Sequence, residues 1–337
     1  MGATHLKAFL SIEGVMVAAV STNNPKALEG DLTEVGGNLG RPTGKYDFSK
    51  IRKYRDWHGL VSDPDLDVID VTLPTDLHLP VAVAALSAGK HVLCEKPIAL
   101  SADEARQLIG VRDRTGRRIE EAFMVRSHPQ WLATLDLIRQ GRIGELRAVT
   151  GAFSYFNRDP HNIRNAPQYG GGALMDIGCY MVTMSRFLFK DEPRRVVALV
   201  ERDPDMRIDR LTSGMMNFAG GQAGFTCSTQ MVAYQRVQIF GTRGRIEVEI
   251  PFNAPPDRPC RVFVDDGSSL SGASVETIEF PAVDQYTIQG DLFSQSVREG
   301  TPLAVPLEGS VRNMAVIEAI FRSADSGKWE EPLTPGL

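Results

Sequence analysis

The sequence predicts an α/β fold in two parts, a doubly wound parallel half followed by an open, mostly antiparallel sheet. Two observations carry this. Apolar runs at residues 68–73 and 91–94 flank a helical stretch at residues 80–88 that Gly89 stops, the strand–helix–strand order of a parallel sheet covered on both faces. Beyond residue 190 the pattern changes, and residues 194–200, 214–218, 221–231 and 237–250 read as successive strands with glycine turns between them.

Composition bounds the possibilities. The chain has 337 residues, 42% hydrophobic and 23% charged, which is ordinary globular composition and enough for about two domains. A formal net charge of −5 without a basic stripe argues against a nucleic-acid surface. The arginines at 112, 114, 117 and 118 read as the solvated end of a helix. Cys94, Cys179, Cys227 and Cys260 have neither metal-type spacing nor disulfide density, so a reducing, cytoplasmic setting is expected. No apolar run approaches the roughly 20 residues of a membrane span, and no signal peptide is visible.

Taken in order, the chain opens with a helical stretch whose apolar face is Leu6, Phe9 and Leu10. Residues 15–20 then read as a strand ending at Ser21-Thr22-Asn23. That is the second half of a βαβ nucleotide-binding unit, with Gly2 in the place of the third glycine of G-x-G-x-x-G, where helix and strand pack closely. Without its first strand such a sheet exposes two unpaired edges. The expectation is therefore that roughly 10 residues precede Met1 in the gene. The alternative is a chain that begins here and binds a dinucleotide badly or not at all; an upstream extension would also make the cytoplasmic assignment provisional.

The strand ending at Ser21 bears on cofactor choice. An acidic residue there favours the ribose of NAD, whereas a basic one accommodates the phosphate of NADP. Ser21, Thr22 and Asn23 are neutral and Lys26 opens the next helix, which leans toward NADP over NAD. No element is assigned to residues 30–54.

Residues 68–73 form a buried parallel strand that ends at Leu73-Pro74, with His78 in the first turn of the following helix as a cap, a cofactor contact or a structural histidine. The strand at residues 91–94 ends abruptly at Glu95-Lys96-Pro97. In open α/β sheets ligands bind beyond the carboxyl ends of the strands, so this ionisable pair points to where cofactor and substrate would meet. The expected cofactor contacts are thus Gly2, Ser21, Thr22, Lys26, Leu73, Pro74, His78, Glu95 and Lys96. Ser101 and Glu104 form a capping box for the next helix, and residues 117–123 read as the last strand of this half.

Together, Gly2–His5, Thr75-Asp76-Leu77-His78, Ala88 to Pro97 (A-G-K-H-V-L-C-E-K-P) and Glu121-Ala122-Phe123-Met124 resemble the glucose–fructose oxidoreductase/inositol dehydrogenase (Gfo/Idh/MocA) family. The resemblance implies an N-terminal Rossmann domain, a C-terminal α/β domain whose open sheet serves as a subunit interface, and a lysine near the nicotinamide and substrate at Lys96. The division expected is residues 1–121 for the nucleotide domain and 122–337 for substrate binding and assembly into a homodimer or homotetramer.

The second half supplies the remaining chemistry. Gly170-Gly171-Gly172 precede a helix bearing Asp176 and Tyr180, four apart and so expected on one face. Oxidising a secondary alcohol requires loss of its hydroxyl proton, and a phenol serves if a nearby cation lowers its pKa. Lys96 is the expected cation, Tyr180 the acid/base and Asp176 the group that orients the substrate. Many members of the family carry histidine at the position of Tyr180; this sequence resembles the tyrosine-containing branch with dihydrodiol and aldose dehydrogenases. Arg126, Asn162 and Arg164 are candidate substrate contacts. The aromatic residues of 147–156 line a pocket or fill a core. No metal-ligand spacing is present. The function expected is NAD(P)-dependent hydride transfer with a sugar, polyol or cyclic diol. The alternatives are a glycosidase with bound NAD, a non-catalytic nicotinamide-sensing regulator, and a truncated chain unable to hold the dinucleotide.

Overall fold

The computed structural model describes residues 1–33 and 44–334. Part of the stretch left unassigned at residues 30–54 therefore lies outside the described residues. The first half contains α1 (Gly2–Phe9), β1 (Ala19–Ser21), α2 (Pro25–Leu28), β2 (Arg52–Tyr54), α3 (Trp57–Val61), β3 (Val68–Val71), α4 (His78–Ser87), β4 (His91–Glu95), α5 (Ala102–Thr115) and β5 (Ile119–Ala122).

Strands β3, β4 and β5 are parallel neighbours, with Val68 opposite His91 and Val92 opposite Ile119. Val92, Leu93 and Cys94 are fully buried, as expected of a strand covered on both faces. Burying each such side chain is worth about 1.5–3 kcal/mol. Strand β1 pairs in parallel with β2 in a separate sheet. The strand expected at residues 15–20 is shorter, Ala19–Ser21 only, with the Ala18 carbonyl accepting the Arg52 amide at 3.0 Å just ahead of it.

Local signals explain the helix limits. The Ser101 hydroxyl accepts the Glu104 amide at 3.1 Å, and Gly116, at φ 64°, closes α5 in the left-handed conformation. The Glu104 carboxylate accepts the amide of Leu100 at 2.9 Å, one residue before the cap. The capping box is thus displaced by one residue.

The second half contains α6 (Pro129–Arg139), β6 (Leu146–Phe156), α7 (Cys179–Phe189), β7 (Arg195–Arg202), β8 (Asp209–Asn217), β9 (Gln222–Ser228), β10 (Gln230–Gly241), β11 (Arg245–Val248), β12 (Cys260–Asp265), β13 (Glu276–Phe280), α8 (Gln285–Glu299) and α9 (Leu307–Ser326). Its eight strands run in the order β13-β12-β11-β10-β6-β9-β8-β7, and only the β6–β9 pair is parallel. Two hairpins turn where glycine was expected, with Phe218 N–H to Gly221 O at 2.9 Å and Gly241 N–H to Gly244 O at 2.8 Å. The expected strand at 221–231 is two strands, β9 and the start of β10. Strands β12 and β13 extend the sheet beyond the four expected runs.

Helices α7 and α9 pack together on one side of this sheet. Val311, Met314, Ile317 and Ile320 of α9 are all buried, as their spacing predicts. On the sheet surface Leu199 is 80% and Met215 42% exposed. The C-terminal helices also return to the first half: α9 packs on α5, α8 packs on α1, and Glu318 accepts the amide of Ala102 at 2.7 Å. This joins the carboxyl ends of β3 and β4 to the second half. Among the described residues no helix is long and apolar enough to cross a membrane.

Candidate active site

Strand β4 delivers Glu95 and Lys96 to its carboxyl end, before a cis Lys96–Pro97 peptide bond. The Lys96 ammonium donates to the main-chain oxygen of Asp176 and lies 3.2 Å from Oδ1 of its carboxylate. Arg164 Nε donates to the same Oδ1 at 3.1 Å, and the Tyr155 hydroxyl donates to Oδ2 at 2.6 Å. One carboxylate therefore gathers two cations and a phenol from three other segments of the chain. Burial disfavours its charge, but Arg164 and Lys96 outweigh that penalty and hold Asp176 well below the usual carboxylate range. Reciprocally, burial lowers the Lys96 pKa while the Asp176 charge more than restores it, so the net shift is upward.

Glycines permit this arrangement. A Cβ on Gly171 would stand 2.6 Å from the Arg164 carbonyl oxygen, and one on Gly172 would stand 1.9 Å from Oδ1 of Asp209. Leu174–Gly178 then form a wide π turn, with the Asp209 carboxylate accepting the Leu174 amide at 2.7 Å.

That π turn corrects one expectation. Asp176 and Tyr180 do not share hydrogen bonds across a common helical face, because the wide turn breaks the 3.6-residue phase between them. The Tyr180 side chain, 5% exposed, packs edge-on to Phe123 at 5.4 Å and beside Phe153 and Phe252. Its hydroxyl donates to Sδ of Met124 at 3.6 Å. Lys96 stands over the ring face, 5.0 Å from the centroid, and not at the phenolic oxygen. The expected lowering of the phenol pKa is corrected too. Burial, reinforced by the Glu95 charge, pushes it well above 10.

At the neighbouring edge, a Cβ on Gly2 would lie 3.0 Å from Oγ1 of Thr72, so α1 approaches the end of β3 closely at its first turn. Ser21 ends β1. Thr22 Oγ1 accepts the Asn24 amide at 3.2 Å, and Asn24 caps α2 through the amides of Lys26 and Ala27. Leu73 and Pro74 begin the loop leaving β3, in which Oδ1 of Asp76 is buried without a hydrogen-bond partner. The free amides of a helix start suit a pyrophosphate, and an unpaired buried acceptor suits a ribose hydroxyl or carboxamide. These residues fit a nicotinamide dinucleotide lying across the carboxyl ends of the strands.

His78 is a correction. It is 1% exposed, and its ring nitrogens each lie 2.9 Å from a main-chain oxygen, of Leu73 and of Pro97. It ties two strand-end loops together and has no free atom for a cofactor. Glu95 accepts from His5 at 2.9 Å and from the Lys96 amide at 3.1 Å, so both its oxygens are engaged within the protein. Arg126 does not join the cluster: its guanidinium lies 4.3 Å from the Phe187 ring centroid and donates to the Ala304 carbonyl at 3.3 Å. Asn162 caps the short turn Ile163–Asn165 by accepting the Arg164 amide at 3.0 Å, so it acts on the site through Arg164. Tyr155 and His5 are the two members given no specific role by sequence. Tyr155 shares a strand face with Phe153, and His5 stands in the Gly2–His5 segment. Among the described residues no group of three or more His, Cys, Asp or Glu side chains is arranged to hold a metal ion.

Residues 1–123 match the family model described as oxidoreductase family, NAD-binding Rossmann fold, and residues 131–247 match the GFO/IDH/MocA C-terminal domain. An uncharacterized oxidoreductase of Rhizobium meliloti is 43% identical over 326 residues, covering 96% of this chain and 94% of that protein. An NADP-dependent D-xylose 1-dehydrogenase of Haloferax volcanii is 33% identical over 89% of this chain and 88% of its own length. The crystal structure of a 3-ketoreductase from Actinomadura kijaniata with NADP and TDP-benzene superposes with a TM-score of 0.82 at 25% identity, covering 95% of this chain and 93% of that one.

Proposed function

The chain belongs to the GFO/IDH/MocA family of NAD(P)-dependent oxidoreductases, and from that premise we propose that it transfers hydride between NADP(H) and a secondary alcohol or carbonyl of a sugar or sugar-like ring. The observation that carries the site is the Lys96 ammonium, held between the Asp176 carboxylate and the face of Tyr180 at the carboxyl end of β4. The sugar substrate is supported by the D-xylose dehydrogenase and the 3-ketoreductase among the similar proteins.

A nicotinamide held at this edge would supply the hydride or accept it. Gly2, Ser21, Thr22, Lys26, Leu73 and Pro74 would hold the dinucleotide, with the start of α1 toward its pyrophosphate. Lys96 faces the reacting oxygen as a fixed cation and stabilises negative charge there. Tyr180 is the proton donor and acceptor. Among the described residues its O–H has a thioether partner alone, a weak acceptor, so exchanging it for a substrate oxygen loses little. Burial keeps the phenol protonated, which suits proton donation to a carbonyl oxygen during reduction; oxidation uses the reverse transfer. Asp176 fixes Lys96 and Arg164, and Arg164 with Tyr155 orients substrate hydroxyls.

The separate sheets support a division into a nucleotide domain, 1–121, and a substrate domain, 122–337. Exposed Leu199 and Met215 support pairing of this sheet face with a second copy in a homodimer or homotetramer. Four buried free thiols support a reducing, cytoplasmic setting.

The test is titration with NADPH and NADH, followed by assay against aldoses and keto sugars. Binding of either nucleotide with its turnover on such a substrate upholds the proposal. Failure to bind both nucleotides removes it, and product formation without net nucleotide turnover replaces it with a glycosidase.

A further inference from the structure

Behind the lysine, helix α1 inserts a histidine into the core. His5 is 2% exposed. Its Nδ1 lies 2.9 and 3.1 Å from the two carboxylate oxygens of Asp70 on β3, and its Nε2 lies 2.9 Å from Oε1 of Glu95 on β4. Ionised carboxylates only accept hydrogen bonds, and a neutral imidazole has one N–H to give. Both contacts are bonds when the ring carries two protons. An imidazolium between two carboxylates also leaves neither buried charge without a partner.

The surrounding charges agree with that state. Lys96 stands beside Glu95, Arg164 also feels its charge, and Tyr286 of α8 presents its ring to His5 at a centroid distance of 5.5 Å. Burial lowers the imidazole pKa, but Asp70 and then Glu95 outweigh it, and the ring is pushed up to about 10.

The second oxygen of Glu95 accepts the main-chain N–H of Lys96 at 3.1 Å. A continuous path therefore runs from α1 through His5 and Glu95 to the peptide from which Lys96 extends. We propose that His5, held as an imidazolium between Asp70 and Glu95, is a positioning residue that ties helix α1 at the nucleotide edge to the peptide aiming Lys96. This rests on the oxidoreductase reading above. Without the cation, Glu95 becomes a buried carboxylate short of a donor, and it takes up a proton as the pH falls toward neutrality. The aim of Lys96 then becomes pH-dependent where in the native protein it is fixed.

Two measurements test this. Ring-15N-labelled histidine spectra of the nucleotide-free protein, recorded between about pH 6 and 9, sort the six histidines by protonation. The His5 signal, assigned by its loss in His5→Gln, is expected to show both nitrogens protonated throughout. A neutral ring at pH 8 overturns the proposal. In turnover, His5→Gln is expected to lower kcat on the order of tenfold or more, with a new limb falling toward acid pH. The double variant H5Q/E95Q, which has no carboxyl left to titrate there, is expected to lose that limb. Native kcat and a native pH profile in H5Q overturn the proposal. Should H5Q fail to fold, Asp70→Asn keeps the ring but removes one carboxylate, and His5 is then expected to titrate at lower pH; an unmoved titration overturns the proposal. A native protein that binds no nicotinamide nucleotide defeats the oxidoreductase reading and leaves the histidine spectra to decide the charge state alone.

Discussion

The Lys96 ammonium stands 5.0 Å above the centroid of the Tyr180 ring, while the phenolic oxygen of that ring points to the Met124 sulfur. The cation thus contacts the π face, an attraction worth about 0.5–2 kcal/mol, and the hydroxyl contributes little to stability. Tyr180→Phe keeps ring and packing. It is expected to leave the melting temperature within about 1 °C and to lower kcat by about 10²–10⁴-fold. Equal turnover in the phenylalanine variant removes Tyr180 from proton transfer.

Lys96 has a second partner, and that sets the outcome of removing it. Lys96→Met deletes one of two cations on the Asp176 carboxylate and leaves Arg164 and Tyr155 in place. Breaking a buried pair costs about 3–5 kcal/mol when the remaining charge is stranded, so the loss here belongs at or below the lower end. Denaturant unfolding measures it. Turnover is expected to fall to background while nucleotide binding persists, since no other proposed nucleotide contact is touched. Wild-type stability together with wild-type turnover would sink the role given to Lys96.

What was legible in the sequence was what repeats or punctuates. The apolar run of β4, the glycine that stops α4 and the serine that opens α5 are local patterns, and the structure forms those element ends within a residue or two of where they were expected. The site was legible only where it coincided with such a pattern, as Lys96 does at a strand end. His5 meets Glu95 across 90 residues and Lys96 meets Asp176 across 80, and no periodicity encodes either meeting. The reach between Asp176 and Tyr180 was misjudged because a π turn replaces the α-helical one that four-residue spacing assumes. Between strands β12 and β13 the stretch at residues 266–275 does contain the turn dipeptide Asp266-Gly267, but it is far longer than the two-residue loop that dipeptide signals, so the pairing was not read.

Acid and base limits on stability follow from three carboxyls. Asp176 is held below the usual range, so its contribution is present above the unfolded-state value near pH 4 and is lost as the pH falls through its folded value. Glu120 and Glu121 behave oppositely. Burial pushes both up to about 7, so the folded state binds protons that the unfolded state has released, and stability declines as the pH rises from about 4.5 to 7. Melting temperature is therefore expected to peak near pH 5 and to fall toward pH 8. Glu121→Gln, which keeps an acceptor for the Ile98 amide, is expected to flatten the decline. A curve that rises steadily to pH 8 in the native protein refutes this assignment.

The nucleotide preference turns on one short strand end. Ser21 closes β1, Lys26 lies in the first turn of α2, and no acidic side chain stands among residues 21–26. A carboxylate placed at residue 21 would repel the 2′-phosphate of NADP and accept the 2′-hydroxyl of NAD. Ser21→Asp is expected to weaken NADPH binding by about tenfold or more while NADH binding holds or improves, read as separate dissociation constants. Salt separates charge from packing here. If repulsion is the cause, the NADPH penalty shrinks as ionic strength rises, because exposed charges are screened over roughly 8–10 Å at physiological salt. A penalty unchanged by salt, or shared equally by both nucleotides, points to disturbed packing at the end of β1 and leaves the proposed NADP preference without its physical basis.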